Sequence, residues 1–208
     1  MKQVKTRDGS VTFFSKKFNE HYHSITIGAI EEAFEKYVKP AEIQDGDRVL
    51  DFCFGLGYNS LAAISYANKL KIVGIENDSE VLKRISMIDV PDEYKEKYSI
   101  IKKAASGSIY IDENYKIRLL VDDARNIIKR LDEKFDAVLF DPFSLKVCPE
   151  LWTKEIFTDL AMLLRRGARL TTYSCAKIVR ENLKMTGFEV YDGPIIGRKA
   201  PSTIAVRL

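Results

Sequence analysis

Four short stretches set chemically capable residues at the ends of apolar runs. The first is DFCFGLGYNS, residues 51–60, where Asp51 precedes Gly55 and Gly57 in the pattern D-x-x-x-G-x-G. Two such glycines allow a tight turn and close approach of backbone to a ligand. A helix that follows offers free N–H groups to a carboxylate or phosphate. Asp51 can orient this loop or meet the ammonium group of a ligand. The second is Glu76, which closes the run KIVGIE and lies 25 residues after Asp51. An acid there can hold both hydroxyls of a ribose. The third is VDDAR, residues 121–125, where either Asp122 or Asp123 can accept a hydrogen bond from an adenine amino group. Each of the two can equally be the N-cap of the next helix. The fourth is FDAVLFDPFS, residues 135–144, an apolar run that ends in Asp141-Pro142-Phe143. An acid beside a core is costly unless it has a partner or a task. The Asp141 carboxylate and the Pro142 carbonyl can accept N–H bonds from an amine. That would aim the nitrogen lone pair at an electrophilic methyl, while Phe143 stacks on a flat base. The plainer alternative is a strand end followed by a turn-forming proline.

The elements that must carry these residues alternate. Strands are predicted over 48–53, 71–76, 135–140 and 168–174, with helices over 59–70, 78–88, 91–106, 124–131 and 176–187. The stretch 149–167 reads as one helix closed by Gly167, a helix-stopping glycine. Residues 108–123 read as a hairpin around Glu113-Asn114, and FEVYDG and STIAVRL read as the last two strands. Alternation of this kind predicts a mostly parallel sheet with helices on both faces. Two final strands separated only by PIIGRKAP predict an antiparallel edge. A parallel sheet with a late antiparallel strand is the layout of class I S-adenosylmethionine methyltransferases, an α/β, Rossmann-like fold of seven strands. The expected organisation is a single domain over 1–208, with a small N-terminal cap over 1–40, including a helix near 25–38, and the core over 41–208.

A chain of 208 residues can bury a sizeable core. It has no apolar run of membrane-spanning length and no apolar segment near Met1 resembling a secretory signal. Cys53, Cys148 and Cys175 match no zinc spacing and no CxxC pair, so they read as core or near-core thiols in a reducing compartment. No metal is expected, and the expected location is cytoplasmic. Net charge is +3, but from Leu163 to Leu208 nine Lys/Arg face three acids, which is +6, and the remainder is −3. Such asymmetry fits either a solvated basic face or a polyanion such as RNA. Arg165, Arg166 and Arg198 are the expected contacts for it. His21 and His23 read as surface or capping residues, and Trp152 reads as the buried face of a helix.

DPFSLKVCPELWTKEIFTDLAMLLRRGARLTTYS, followed by GFEV and GRK, resembles the methyltransferase part of the MnmC-type tRNA wobble-uridine enzymes. FNEHYHSITIGAIEEAFEKYV resembles the entry region of that family, FGLGYN its glycine loop, and VDDAR its G-D-A-R. The resemblance covers nearly the whole chain and is most specific over 142–174. It implies methyl transfer from S-adenosyl-L-methionine to the 5-aminomethyl group of uridine 34 in tRNA, giving 5-methylaminomethyl(-2-thio)uridine. It further implies Asp141 as the catalytic or amine-positioning acid, with Gly55, Gly57, Asn59, Glu76 and Asp123 at the methyl donor and Tyr22 and Ser24 lining the same site. Cys53 stands where the family often has the first glycine of the loop. The two-headed members also carry a flavin-dependent oxidase domain, for which 208 residues leave no room, so the resemblance is to the stand-alone methyltransferase form, without FAD. Two rival readings share parts of the pattern. A methyltransferase or aminopropyltransferase for a small amine would use the same sheet and strand-end acid. A dinucleotide-binding module would use Gly55-x-Gly57-x-x-Ser60, an approximation to G-x-G-x-x-G/A, together with Glu76.

Overall fold

The computed structural model describes residues 2–208. Three short strands come first: β1 (Lys2–Lys5), β2 (Val11–Ser15) and β3 (Glu20–His21). They form a small antiparallel sheet of their own, where the sequence had indicated only a cap with one helix. That helix is α1 (Ala29–Glu32), which runs on as a π-helix over Ala33–Val38. The alternating part follows: β4 (Arg48–Phe52), α2 (Tyr58–Tyr66), β5 (Leu70–Glu76), α3 (Ser79–Ile85), α4 (Lys95–Gly107), β6 (Ile109–Ile111) and β7 (Tyr115–Val121). The rest is α5 (Ala124–Ile127), β8 (Phe135–Phe140), α6 (Lys154–Leu163), β9 (Leu164–Thr172), α7 (Lys177–Met185), β10 (Phe188–Asp192) and β11 (Thr203–Arg207).

One eight-stranded sheet runs β10-β11-β9-β8-β4-β5-β7-β6. Strands β9, β8, β4, β5 and β7 are mutually parallel, while β11 lies antiparallel between β9 and β10. The seven expected strands are present. The eighth is β6, the first arm of the 108–123 hairpin, which pairs antiparallel with β7 and extends the sheet by one edge.

The predicted helix over 149–167 is corrected by the structure. Helix α6 ends at Leu163, and Leu164–Gly167 belong to β9. Phe135 pairs with Leu164, but Ala137 pairs with Arg169, so β9 bulges over Arg165, Arg166, Gly167 and Ala168. Gly167, at φ +80, makes this bulge and does not cap a helix.

The central strands are apolar without interruption because helices cover both faces. Alternate residues therefore enter different cores. Val49, Ile72, Ala137 and Leu139 pack with Leu61 of α2, Val81 of α3 and Ile101 of α4. Leu50, Phe52, Val138 and Phe140 pack with Phe157 of α6, Val179 of α7 and Trp152. From β4 the chain winds outward to β5 and β7, then crosses back to β8 and β9 on the other side. Strands β4 and β8 thus flank a switch point, where open α/β sheets receive ligands beyond the carboxyl ends of their strands. No helix among the described residues is long and apolar enough to cross a membrane.

Candidate active site

A cavity of about 800 Å³ opens at the carboxyl ends of β4, β5, β7 and β8. The loops after those strands line it together with the N-terminal segment around residues 17–26.

The loop after β4 turns through three residues of positive φ, Cys53 (+67), Gly55 (+54) and Gly57 (+77). A Cβ on Gly55 would meet the Tyr22 ring at 3.4 Å, inside the cavity wall. A Cβ on Gly57 would instead lie 2.5 Å from Ile101 and 2.9 Å from Phe54. Gly57 therefore serves the packing of α2 and does not line the cavity. Cys53 holds a left-handed conformation that costs a side-chain-bearing residue strain. Asp51 is corrected as a ligand contact. It is fully buried on the α2 side of the sheet and accepts a hydrogen bond from Ser60 Oγ at 2.6 Å. Burial pushes its carboxyl up to about 7, and its bond to Ser60 ties β4 to the first turn of α2 across the loop.

Glu76 ends β5 inside the cavity. Its carboxylate accepts N–H bonds from Gly55 (2.8 Å), Asn77 (2.9 Å) and Asp78 (2.9 Å). Burial raises its affinity for a proton, and these three bonds oppose that. Of the two neighbouring acids after β7, Asp123 lines the cavity and Asp122 does not. Asp123 is also the N-cap of α5 and is held by Arg125. Asp122 is exposed and paired with Arg130 at 2.6 Å.

Asp141 is the first residue beyond β8, and its N–H donates to Phe52 O of β4 at 3.1 Å. Its Oδ1 accepts from the Tyr37 hydroxyl, and its Oδ2 from Asn59 Nδ2 at 3.1 Å. Burial, followed by the nearby Glu32 charge, pushes the Asp141 carboxyl well above the usual range, and the two donors oppose that. Glu32 also faces the cavity and is itself held by Lys36 Nζ (2.7 Å) and Ser24 N (3.0 Å). Asn59 Oδ1 is buried without a partner beside this carboxylate. The next three residues are fixed as firmly. Pro142 O accepts from the Tyr173 hydroxyl (3.2 Å), and Phe143 O accepts from Trp152 Nε1 (2.9 Å). Ser144 donates to Glu20 through both its N–H (3.0 Å) and its hydroxyl. The Phe143 ring stacks on Phe18 at 4.4 Å and meets Tyr22 edge-on at 5.0 Å.

Of the predicted site residues, Tyr22, Ser24, Gly55, Glu76, Asp123, Asp141, Pro142 and Phe143 share this cavity, and Asn59 touches it through Asp141. The three arginines do not line it. Arg165 and Arg166 sit at the start of β9, opposite Phe135. They are six residues of β8 away from Asp141, about 20 Å at roughly 3.3 Å per residue. Arg165 is occupied by Asp136 at 2.6 Å. Arg198 ties its loop to the carbonyls of Tyr173 and Pro201. His23 is buried, where the sequence suggested a surface residue. It packs edge-on to Tyr58 with Nε2 unpartnered, and burial lowers its pKa to about 4, so the ring is neutral. Sequence reasoning missed Phe18, Glu20, Glu32 and Tyr37 as residues of the site. Only the concentration of aromatics and acids around FNEHYHS pointed that way.

Carboxylates dominate the cavity wall. Glu20, Glu32, Glu76, Asp123 and Asp141 are among them, against Lys17 and Arg125. Such a wall attracts cationic groups. Among the described residues no group of three or more His, Cys, Asp or Glu is placed to hold a metal ion.

Residues 89–207 match a family described as S-adenosyl-L-methionine-dependent methyltransferase. An uncharacterized protein of Methanocaldococcus jannaschii is 34% identical over 212 aligned positions, covering 98% of this chain and 59% of its own. The tRNA 5-methylaminomethyl-2-thiouridine biosynthesis bifunctional protein MnmC of Leptospira interrogans is 24% identical, covering 93% of this chain and 33% of its own. This chain therefore spans 59% and 33% of the lengths of these two relatives, less than two thirds of either. The crystal structure of MnmC2 from Aquifex aeolicus superposes with a TM-score of 0.88 and 32% identity, over 99% of this chain and 70% of that one. Spermidine synthase from Thermotoga maritima, at 12% identity and a TM-score of 0.60, shares the fold alone.

Proposed function

Because this chain belongs to the S-adenosyl-L-methionine-dependent methyltransferases and forms an MnmC-like domain of that family, we propose that it methylates the 5-aminomethyl group of uridine 34 in tRNA. The product is 5-methylaminomethyl(-2-thio)uridine. The observation that carries this reading is Asp141, fixed at the switch point by Tyr37 and Asn59 in a cavity lined with acids.

The residues fit the methyl donor. The cavity has the size of a small-molecule site. Gly55 leaves open a place that a side chain would fill against Tyr22. Glu76 and Asp123 line the cavity, and on this reading Glu76 would take the ribose hydroxyls and Asp123 the adenine amino group. Excess carboxylate suits the positive charges of the donor. When bound, the donor supplies an electrophilic methyl group on a sulfonium.

The chain's own task is then to present a neutral amine. Alkylamines are mostly protonated near neutral pH, so a group must take the proton. Asp141 accepts the N–H of the incoming amine and holds the proton it gives up. Its raised proton affinity suits a base working near neutrality. Two donors to its oxygens fix the carboxylate, and with it the direction of the nitrogen lone pair. Once that proton has passed on to solvent, the negative charge restored on Asp141 also stabilises the positive charge that develops on nitrogen.

The test is mass spectrometry of nucleosides from tRNA carrying 5-aminomethyluridine, incubated with the protein and S-adenosyl-L-methionine. One added methyl, dependent on the aminomethyl group, is expected. A protein that binds the donor but methylates only small aliphatic amines would replace this reading with the small-amine one.

A further inference from the structure

The turn between β2 and β3, Lys16–Asn19, adjoins the cavity, and nothing in the chemistry at Asp141 requires it. Lys17, Phe18 and Asn19 line the cavity. Lys16 and Lys17 are exposed, and neither takes part in an ion pair among the described residues. Phe18 is half-buried and stacks on Phe143 with 28° between the ring planes. Lys17 Nζ lies 4.9 Å from the centre of the Phe18 ring. The turn is not loosely placed. Glu20, directly after it, binds both the N–H and the hydroxyl of Ser144, which ties the turn to the loop that bears Asp141.

An aromatic pair with Lys17 over one ring and Lys16 next to it in the chain, neither lysine in an ion pair among the described residues, offers the groups by which proteins hold unpaired nucleotides. The rings stack on a base and the ammonium groups meet phosphates. An aliphatic amine offers neither a flat ring nor a phosphate. We propose that this turn is the nucleic-acid-reading element of the site: Phe18 and Phe143 form the stacking platform for the base that carries the amine, and Lys16 and Lys17 receive the flanking phosphates. The inference rests on the tRNA reading above and assigns to the turn the role expected of Arg165, Arg166 and Arg198.

The experiment is steady-state methylation of tRNA bearing 5-aminomethyluridine, with donor affinity measured separately by calorimetry. Phe18→Ala is expected to raise KM for tRNA by about 5- to 150-fold, the range of one lost base-stacking contact. Donor affinity and the salt dependence of kcat/KM should stay as in wild type, and Phe18→Tyr should restore KM. Lys16→Ala with Lys17→Ala should instead flatten the plot of log kcat/KM against log salt, by about 0.7 for each lost phosphate contact on a single strand. Wild-type KM in Phe18→Ala together with an unchanged salt slope in the double variant would overturn the inference while leaving the tRNA reading intact. Wild-type protein that binds the donor and leaves this tRNA unmethylated would overturn both.

Discussion

Removing the Tyr37 hydroxyl tests the reasoning about Asp141 without touching the carboxylate. In Tyr37→Phe the ring that fills the buried site remains, and Oδ1 of Asp141 loses its donor. A hydrogen bond to a charged group is worth about 1.5–3 kcal/mol, and each 1.36 kcal/mol of preference for the anion is about one pKa unit. Burial and Glu32 already raise the proton affinity of Asp141, and Tyr37 is first among the groups that lower it. Its loss therefore moves the titration further up, by about 1–2 units. The assay is kcat/KM for methylation against pH, wild type beside variant. The substrate amine titrates identically in both, so the offset between the profiles isolates the enzyme group. The acid limb of the variant should lie about 1–2 pH units higher, which is a loss of roughly 10- to 100-fold at pH below both limbs. At high pH the two curves should converge. Superimposable profiles would refute the claim that Tyr37 tunes Asp141. A uniform loss at every pH would mean that Tyr37 only positions the loop.

Asp141→Asn should lower kcat by about 10²- to 10⁴-fold, the usual worth of a positioned base, with donor affinity by calorimetry changed only a few-fold. The buried Asp51 carboxyl, raised from 3.8 to about 7, contributes stability that is fully present below pH 3.8 and lost as pH rises through 7. Asp51→Asn should accordingly gain thermal stability on wild type as pH goes from 4 to 8, by at most about 4 kcal/mol, and parallel Tm curves would count against a buried charge there. Gly57→Ala, with φ +77 and contacts of 2.5 and 2.9 Å, should cost about 2–5 kcal/mol in chemical denaturation, from backbone strain and overpacking together. Gly55→Ala, at φ +54 with its new methyl group touching Tyr22 at 3.4 Å, should cost less stability than Gly57→Ala, about 1–2 kcal/mol of backbone strain, and should weaken donor binding in calorimetry. The reverse ranking would exchange the roles of the two glycines.

Strand ends that carry the site were legible because three buried strands run apolar until a single acid. Asp51 sits inside such a run, and Glu76 and Asp141 close theirs, so the pattern marked them at once. Which of Asp122 and Asp123 faces the cavity was not legible, because two adjacent acids at one strand end look alike until the fold brings Asp123 to the cavity wall and Asp122 to Arg130 at the surface. The sequence LLRRGA has good helix formers ahead of a glycine and reads as a helix end. Pairing of Leu164 with Phe135 outweighs that local preference and draws the two arginines to the far end of the sheet. Strands β1 and β3 have four and two residues, too few for alternation to register. Tyr37 carried no signal of its own inside the helix expected near 25–38, and Trp152 read as a helix face. The bond from Tyr37 to Asp141 is created only when segments 104 residues apart meet, and the bond from Trp152 to Phe143 only when the nearby loop after β8 closes. The seven-strand expectation fell short because the hairpin over 108–123 was recognised without adding its first arm to the sheet edge.

The wall made by residues 17–37 has a consequence for how the protein is born. Tyr37 waits for Asp141, 104 residues later, and Glu20 waits for Ser144, 124 residues later. At about 5–20 residues per second of synthesis, the opening segment spends roughly 5–25 seconds outside the ribosome before its partners exist. During that interval Phe13, Phe18 and Tyr37 have no completed sheet to cover. The glycine loop, by contrast, meets Glu76 within about twenty residues. Assembly of the glycine loop on Glu76 can thus run well ahead of the surroundings of Asp141, and the cavity is complete only when residues 17–37 fold back onto residues made more than a hundred positions later.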